Sequence, residues 1–389
     1  MSDLILLLIG PGDHTGTHRV SCRLFSQAFE NQGFKTEIFT VTTRQDVQNL
    51  ARRLAQGGIA FVHIEQGQLL HITIDGVNLF QKFKVRVCSQ IRDHWFYPWL
   101  YPGLLNAPQD SVFLHCDSTI EAVKDQLSGI HRLSQSTIQS VSEPKAVQHQ
   151  QTSEEDLKSP IFVGTYHSPN RLRQALLDKH LGIKDIVDRV LDEVSNCIAI
   201  PQSFWDVTLD RKSGEVLCYG VNRISLEAYH GLFSLQRAVL RENFLNQLSK
   251  LKCNLYVKGA WTPPKNSRAT INLGGITKTD ANSLSQKSRL ILSDQSGLRD
   301  AIGERVASAV FSGQTILMRD CRWGERAERF IPNLYRFSSY DDLGDKLTSK
   351  QVVETGDTVS PISISNNIIP GTTYELTSFK MNNTQNDTY

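Results

Sequence analysis

The sequence predicts an α/β fold in which two Rossmann-like domains face each other across a cleft. Apolar runs of strand length alternate with amphipathic helical patterns along most of the 389-residue chain. One polar stretch, rich in Ser, Gln, Glu and Lys, interrupts this alternation. We therefore expect a first domain at 1–133, a linker or exposed excursion at 134–160, a second domain at 161–348 and a polar tail at 349–389.

The first half of the chain carries the signals of a parallel, doubly wound sheet. Strands are predicted at 4–9, 37–41, 59–64, 85–88 and 112–115, and helices at 20–32 and 43–56. In the second of these helices apolar residues recur at i, i+3, i+4 and i+7, as Val47, Leu50, Ala51 and Leu54. This spacing gives the helix one apolar face that can cover the sheet.

The second half repeats the alternation. Strands are predicted at 161–163, 254–257, 270–273, 290–292 and 315–318, helices at 169–179, 183–195, 226–250 and 299–312, and a last strand and helix near 334–347. In such sheets ligands bind at the carboxyl ends of the strands, so two facing sheets create an interdomain site. The helix at 226–250 has enough apolar surface to permit an oligomer interface.

Composition excludes some classes of protein. The formal net charge is +2 and the basic residues are scattered, which argues against a dedicated nucleic-acid binder. The apolar run at 4–9 is too short for a membrane span, and no transmembrane segment is predicted. Seven cysteines lie far apart without a Cys-x-x-Cys pair, so neither a zinc site nor a redox dithiol is indicated. Buried, reduced thiols and a cytoplasmic location are expected.

The loop at 10–19 follows a buried strand and opens a helix. Gly10, Gly12 and Gly16 allow a close backbone approach, and a helix N-terminus favours an anion. The loop also offers three acid–base groups, Asp13, His14 and His18. The spacing differs from Gly-x-Gly-x-x-Gly, which disfavours a nicotinamide cofactor. The alternative is a tight turn with solvated histidines.

Charged residues also stand beside an aromatic cluster. Arg92, Asp93 and His94 precede the aromatic segment at 95–99, which could floor a sugar pocket or instead anchor the loop in the core.

Further on, 115–117 reads His-Cys-Asp at a strand end, where an Asp that caps the next helix is more usual than a metal ligand. No metal site is predicted.

Two segments of the second half resemble anion-binding turns. Gly164 and Thr165 end its first strand, and Ser168 and Pro169 stand where an N-cap and the first helical residue are expected. That turn can hold a phosphate or simply cap a helix. The segment at 290–313 runs from a strand through a polar loop into a helix that ends at Ser-Gly.

On the helix of this second segment, the polar residues lie away from the apolar face. Glu304 can accept two ribose hydroxyls, and Arg305 can meet diphosphate oxygens with its planar fork. Ser308 and Ser312 are secondary candidates. The alternative is an exposed Glu–Arg face without a ligand.

The segment at 290–313 resembles the C-terminal domain of GT-B glycosyltransferases, particularly those related to the spore maturation protein CgeB. The matching stretches read Gly-Glu-Arg-Val at 303–306, Ala-Ser-Ala at 307–309 and Ser-Gly at 312–313, with looser matches at 92–97, 163–166 and 254–261. The resemblance implies a nucleotide-sugar donor in the C-terminal domain, an acceptor facing the N-terminal domain, and transfer without a metal or a separate cofactor.

Two departures from that group keep other functions open. Gly303 stands where relatives often carry His, and Ser308 stands near a position where many retaining enzymes carry Glu. The main expectation is therefore a glycosyltransferase acting on an unidentified glycan, lipid or protein acceptor. A nucleotide-sugar epimerase of similar architecture and a non-catalytic sugar-nucleotide-binding scaffold are the alternatives.

Overall fold

The computed structural model describes residues 4–11, 17–91, 93–108, 111–115, 120, 130–135, 159–210, 212–220, 222–274, 288, 290–294, 306, 309, 314–321 and 333–349. They fall into two compact units, one containing the described residues up to 135 and the other those from 159 to 349. Each unit is built on a six-stranded parallel sheet. The predicted α/β class with two Rossmann-like sheets is confirmed.

The first unit contains one large sheet with its helices. Its elements are β1 (Leu4–Ile9), α1 (Thr17–Glu30), β2 (Lys35–Thr40), α2 (Arg44–Ala55), β3 (Ile59–Glu65), β4 (Thr73–Ile74), β5 (Val77–Asn78), α3 (Leu79–Lys82), β6 (Val87–Ile91), α4 (Tyr101–Leu105), β7 (Ser111–His115) and β8 (Ile130–Gln135). In the order β2-β1-β3-β6-β7-β8 the chain first adds a strand on one side of β1 and then continues on the other side, from β3 onward. This reversal is the topological switch point, where ligands bind such sheets.

The core of the first unit lies between the sheet and α1. Ile5, Leu7 and Ile9 of β1 pack with Cys22, Phe25 and Phe29 of α1 in one buried cluster. That arrangement follows from the two periods, because alternate strand residues face one side and helix residues three or four apart share a face. The apolar face predicted for α2 is present, with Leu50 and Leu54 buried.

The second unit adds a small antiparallel sheet to its large one. Its elements are β9 (Ile161–Thr165), α5 (Pro169–Lys179), α6 (Lys184–Val194), α7 (Gln202–Trp205), β10 (Thr208–Asp210), β11 (Glu215–Cys218), β12 (Asn222–Ser225), α8 (Leu226–Leu248), β13 (Asn254–Lys258), β14 (Thr270–Asn272), β15 (Leu290–Ser293), β16 (Thr315–Arg319), β17 (Leu334–Phe337) and α9 (Tyr340–Thr348). The large sheet has the order β14-β13-β9-β15-β16-β17. Numbered along the chain this is 3-2-1-4-5-6, the dinucleotide-binding order, with its switch point between β9 and β15.

Several boundaries differ from the sequence predictions. β9 continues to Thr165, two residues past the predicted end at 163, and β8 continues to Gln135, past the predicted domain end at 133. The helix predicted at 299–312 lies outside the described residues except Val306 and Ala309, which are helical and buried. The antiparallel sheet β10–β12 was not predicted.

Two features bear on the expectations about thiols and membranes. Six cysteines are described, and all are thiols rather than halves of disulfides: Cys22, Cys88, Cys197, Cys218, Cys253 and Cys321. Within the described ranges, no helix is both long enough and apolar enough to cross a membrane.

Candidate functional site

The loops that follow β1 and β3 meet closely at the switch point of the first unit. A Cβ placed on Gly10 would lie 2.9 Å from the Cβ of Gln68, so a side chain at this position would displace Gln68. The glycine is therefore needed for the close approach predicted for this loop. Gly12, Asp13, His14 and Gly16 lie outside the described residues.

His18 stands in the first turn of α1, on the helix face that covers the sheet. It shares this face with Ser21, Cys22 and Phe25, which are three, four and seven residues further on. The thiol of Cys22 donates to the Leu8 carbonyl at 3.9 Å. His18 is half-buried and its Nδ1 atom is buried. The structure thus places one of the three predicted acid–base residues next to the carboxyl end of β1.

A pair of buried titratable residues on β3 was missed by the sequence analysis. His63 and Glu65 have fully buried side chains, and His63 Nε2 lies 3.6 Å from Glu65 Oε1. Gln90 of β6 pairs with Glu65 in the sheet register and is 1% exposed. The available signal was the pattern Phe-Val-His-Ile-Glu at 61–65, in which two polar residues interrupt an apolar strand.

The aromatic segment after β6 packs mainly into the core. His94 stacks on Phe96 with ring centroids 5.2 Å apart, and 94–97 are all buried, whereas Trp99 is 53% exposed. Asp93 is held by Gln66, whose Nε2 donates to Asp93 Oδ2 at 3.0 Å. These contacts support the anchoring alternative. A sugar-pocket role for Asp93 and His94 stays a prediction.

The remaining predicted positions near this segment are Arg92 and the residues 115–117. His115 is buried at the end of β7, while Arg92, Cys116 and Asp117 are outside the described residues. Among the described residues, no group of three or more His, Cys, Asp or Glu side chains is arranged to hold a metal ion.

In the second unit, Gly164 and Thr165 are the last two residues of β9. A Cβ on Gly164 would lie 2.5 Å from Phe162 Cζ and 2.7 Å from Arg241 Nη1, so the strand end accepts no larger residue without rearrangement. Ser168 caps α5 by accepting from the Arg171 amide at 3.4 Å. The predicted N-cap is confirmed, and phosphate binding at this turn stays a prediction.

Arg241 of α8 joins the ends of two neighbouring strands at the switch point of the second unit. Its Nε and Nη2 atoms donate to the carboxylate of Asp294, which follows β15, and the Nη2–Oδ1 distance is 2.9 Å. Its Nη1 donates to the Thr165 carbonyl at 3.0 Å. The guanidinium also lies over the Phe162 ring, 5.3 Å from the centroid. This two-point ion pair was missed by the sequence analysis because the partners are 53 residues apart.

More charge gathers at the same edge of the sheet. Arg319, the last residue of β16, is 5% exposed and donates to the Ile198 carbonyl at 2.7 Å. Burial lowers the pKa of its guanidinium, and the nearby Asp294 carboxylate opposes that shift. Arg237 and Tyr340 also interact electrostatically with Arg319. Burial raises the pKa of Tyr340, so this phenol stays neutral.

Tyr166 adds a hydrogen bond beside this edge. Its hydroxyl donates to Glu242 Oε1 at 2.5 Å. Burial and this hydrogen bond raise the pKa of Tyr166 to about 12. The remaining predicted donor contacts, Glu304, Arg305, Ser308 and Ser312, lie outside the described residues.

Comparison with known proteins gives structural similarities at low identity. No protein-family model and no curated protein matches this sequence. A sucrose-phosphate synthase from Thermosynechococcus elongatus is 8% identical with a TM-score of 0.45, over 99% of this chain and 98% of that one. AviGT4, a glycosyltransferase involved in avilamycin A biosynthesis, is 9% identical with a TM-score of 0.43, over 97% and 96%.

A third similar structure is HepE from Anabaena in complex with UDP and glucose. It is 10% identical with a TM-score of 0.42, over 96% of this chain and 99% of that one. At such identities no residue role is carried over to this chain. The likeness to the spore maturation group stays a prediction.

Proposed function

We propose that this chain is a glycosyltransferase that moves a sugar from a nucleotide-diphosphate donor to an acceptor. The observation that carries this proposal is the charged edge of the second sheet. Arg241, Asp294 and Arg319 lie at the carboxyl ends of β9, β15 and β16, on or beside the switch point. In open sheets of this strand order a nucleotide binds at that place.

The donor contacts follow from the resemblance described above. Glu304 would accept the ribose hydroxyls and Arg305 would bind the diphosphate, with Ser308 and Ser312 beside them. Gly164 and Thr165 end β9 at the same edge of the sheet as Asp294. Backbone amides at a helix N-terminus and basic side chains would stabilise the leaving diphosphate, so transfer would need no metal.

The first unit would serve the acceptor. Asp13, His14 or His18 would take or orient the proton of the acceptor hydroxyl, and His18 is the member of this group that the structure describes. The acceptor is a glycan, a lipid or a protein. The cytoplasm is the proposed location, since the cysteine pattern predicts a reducing compartment.

The donor half of the proposal is tested by thermal unfolding of the purified protein. UDP, GDP, dTDP, CMP and their common sugar conjugates are added one at a time, with and without EDTA. A ligand that binds only the folded state raises the unfolding midpoint. We expect one nucleotide class to raise it, EDTA to leave the shift intact, and Arg305→Gln to remove it. Arg173→Gln, on α5 and 36% exposed, is the matched control.

Transfer itself is tested by product analysis with the nucleotide-sugar that binds. Release of the free nucleotide together with a glycosylated acceptor supports the proposal. Conversion of the sugar to its epimer without any acceptor would identify an epimerase instead. Binding without turnover across a wide panel of acceptors would favour the scaffold alternative.

A further inference from the structure

His63 and Glu65 form a buried titratable pair on β3 that the proposed function leaves unused. Both side chains lie on the face of β3 that packs under α1, where the Phe25 ring sits 4.5 Å from the His63 ring. Neither imidazole nitrogen of His63 has a hydrogen-bond partner among the described residues. Buried polar groups in a sheet core destabilise the fold unless something compensates them, and they cluster at functional sites.

The geometry of α1 places His18 close to this pair. Cys22 is fixed to Leu8 by its thiol hydrogen bond, and Leu8 pairs with Ile64 in the sheet. Because α1 joins two parallel strands, it runs antiparallel to them. His18 is one helical turn, about 5.4 Å, nearer the carboxyl edge than Cys22. A strand rises about 3.3 Å per residue, so His18 stands level with Glu65 and the residue after it.

We propose that Glu65, with His63 beside it on β3, is a positioning residue that holds His18 in a proton-accepting state. The inference rests on the proposed function, in which His18 serves the acceptor. As the acceptor oxygen bonds to the anomeric carbon, its proton passes to His18. The bond from the anomeric carbon to the phosphate oxygen breaks, and its electron pair leaves with the diphosphate. An ionised Glu65 stabilises the imidazolium that forms, because an opposite charge nearby favours the charged state.

Among the described residues, the titratable side chains on the elements packed against the pair include two thiols. They are Cys22 on α1 and Cys88 on β6, in addition to His18 itself. Burial raises the pKa of the Cys88 thiol far above neutrality, so it carries no charge. Gln90, beside Glu65, is polar but does not titrate. Glu65 is therefore the carboxyl group on β3 that lies level with His18.

The inference is tested by NMR titration of the histidine side chains in the full-length protein, without nucleotide or acceptor. Signals of His18 and His63 are assigned with His18→Gln and His63→Gln. In Glu65→Gln we expect the His18 midpoint to fall by about one pH unit, a tenfold loss of proton affinity. Glu65→Asp restores the charge and should recover part of the shift. Glu30→Gln, at the far end of α1, is the control and should leave the midpoint in place.

An unchanged His18 midpoint in Glu65→Gln with a native amide spectrum would overturn the inference. If Glu65→Gln does not fold, titration of the wild-type protein tests the same coupling between Glu65 and His18. The carboxyl carbon of Glu65 and the ring nitrogens of His18 must then share a titration step, as coupled groups do. Independent titration of the two would overturn it equally. None of these readings depends on donor binding, so failure here is distinct from failure of the proposed function.

Discussion

The backbone at Gly259 requires a glycine. It has a φ of +130°, and a Cβ there would collide with the carbonyl oxygen of Tyr166. We expect Gly259→Ala to lower the free energy of unfolding by more than about 1 kcal/mol. Gly344→Ala is the matched control, because that glycine lies inside α9 with open space around it. It should raise the stability by about 0.5–1 kcal/mol. Chemical denaturation measures the stability of both variants, and a change of the same sign in both would contradict the geometry.

The ion pair between Arg241 and Asp294 is the second prediction at this scale. The two side chains are 14% and 10% exposed, so removal of the guanidinium leaves a carboxylate largely out of water. We expect Arg241→Gln to cost about 3 kcal/mol of unfolding free energy. Arg173→Gln removes the partner of Asp188 in a pair whose side chains are 36% and 43% exposed, and it should cost less than about 1 kcal/mol. Similar costs for the two variants would show that the buried pair is not holding the strand ends.

What the sequence can reveal about single residues depends on distance along the chain. The cap at Ser168 was predictable because its bond partner, Arg171, is three residues away. The contact of Arg241 with Thr165 spans 76 residues and follows only from the pairing of strands. His63 and Glu65 are an intermediate case, because their polarity is visible in the strand sequence but their burial under α1 is not.

Among the elements, α2 shows most directly how local chemistry fixes a helix end. Thr43 and Asp46 form a capping box, in which each side chain accepts from the backbone amide of the other. The backbone amide of Thr42, then the Thr43 hydroxyl and amide, lower the pKa of Asp46 to about 2. Removing the cap with Thr43→Ala should cost about 1 kcal/mol.

The pKa of Asp46 also predicts a pH dependence. Its folded value is below the unfolded value of about 3.9, so the carboxylate stabilises the protein above that pH. This contribution is lost as the pH falls through about 2. The stability difference between the wild type and Asp46→Asn should therefore be constant from pH 5 to 7 and shrink below about pH 4. Urea denaturation at a series of pH values measures it, and a difference that grows on acidification would contradict the assignment.

Most elements of the two large sheets were predictable, whereas β8 and the small antiparallel sheet were not. α5 begins and ends where the sequence predicts, at Pro169 and Lys179, because a cap and an amphipathic period mark it. β10 has three residues and β11 has four, too few for a period to be read. α8 buries most of its apolar side chains within its own unit, and an oligomer interface on the helix at 226–250 stays a prediction.

At the scale of the whole molecule, two parallel sheets arise from one alternating pattern but carry different strand orders. The alternation predicts parallel strands with covering helices, which both units have. It does not predict the order of the strands, because that depends on contacts between segments far apart in sequence. The two orders set two switch points, one beside His18 and Glu65 and one beside Arg241 and Asp294.

The central claim, that the second unit binds a nucleotide-sugar donor at its switch point, is tested most directly by hydrogen exchange. The full-length protein is exchanged with and without saturating UDP, GDP, dTDP or CMP. We predict that one of these nucleotides slows the exchange of backbone amides at 163–171 and 290–294, and slows none in the first unit to the same degree. No slowing with any nucleotide, or slowing confined to 4–115, would contradict the claim.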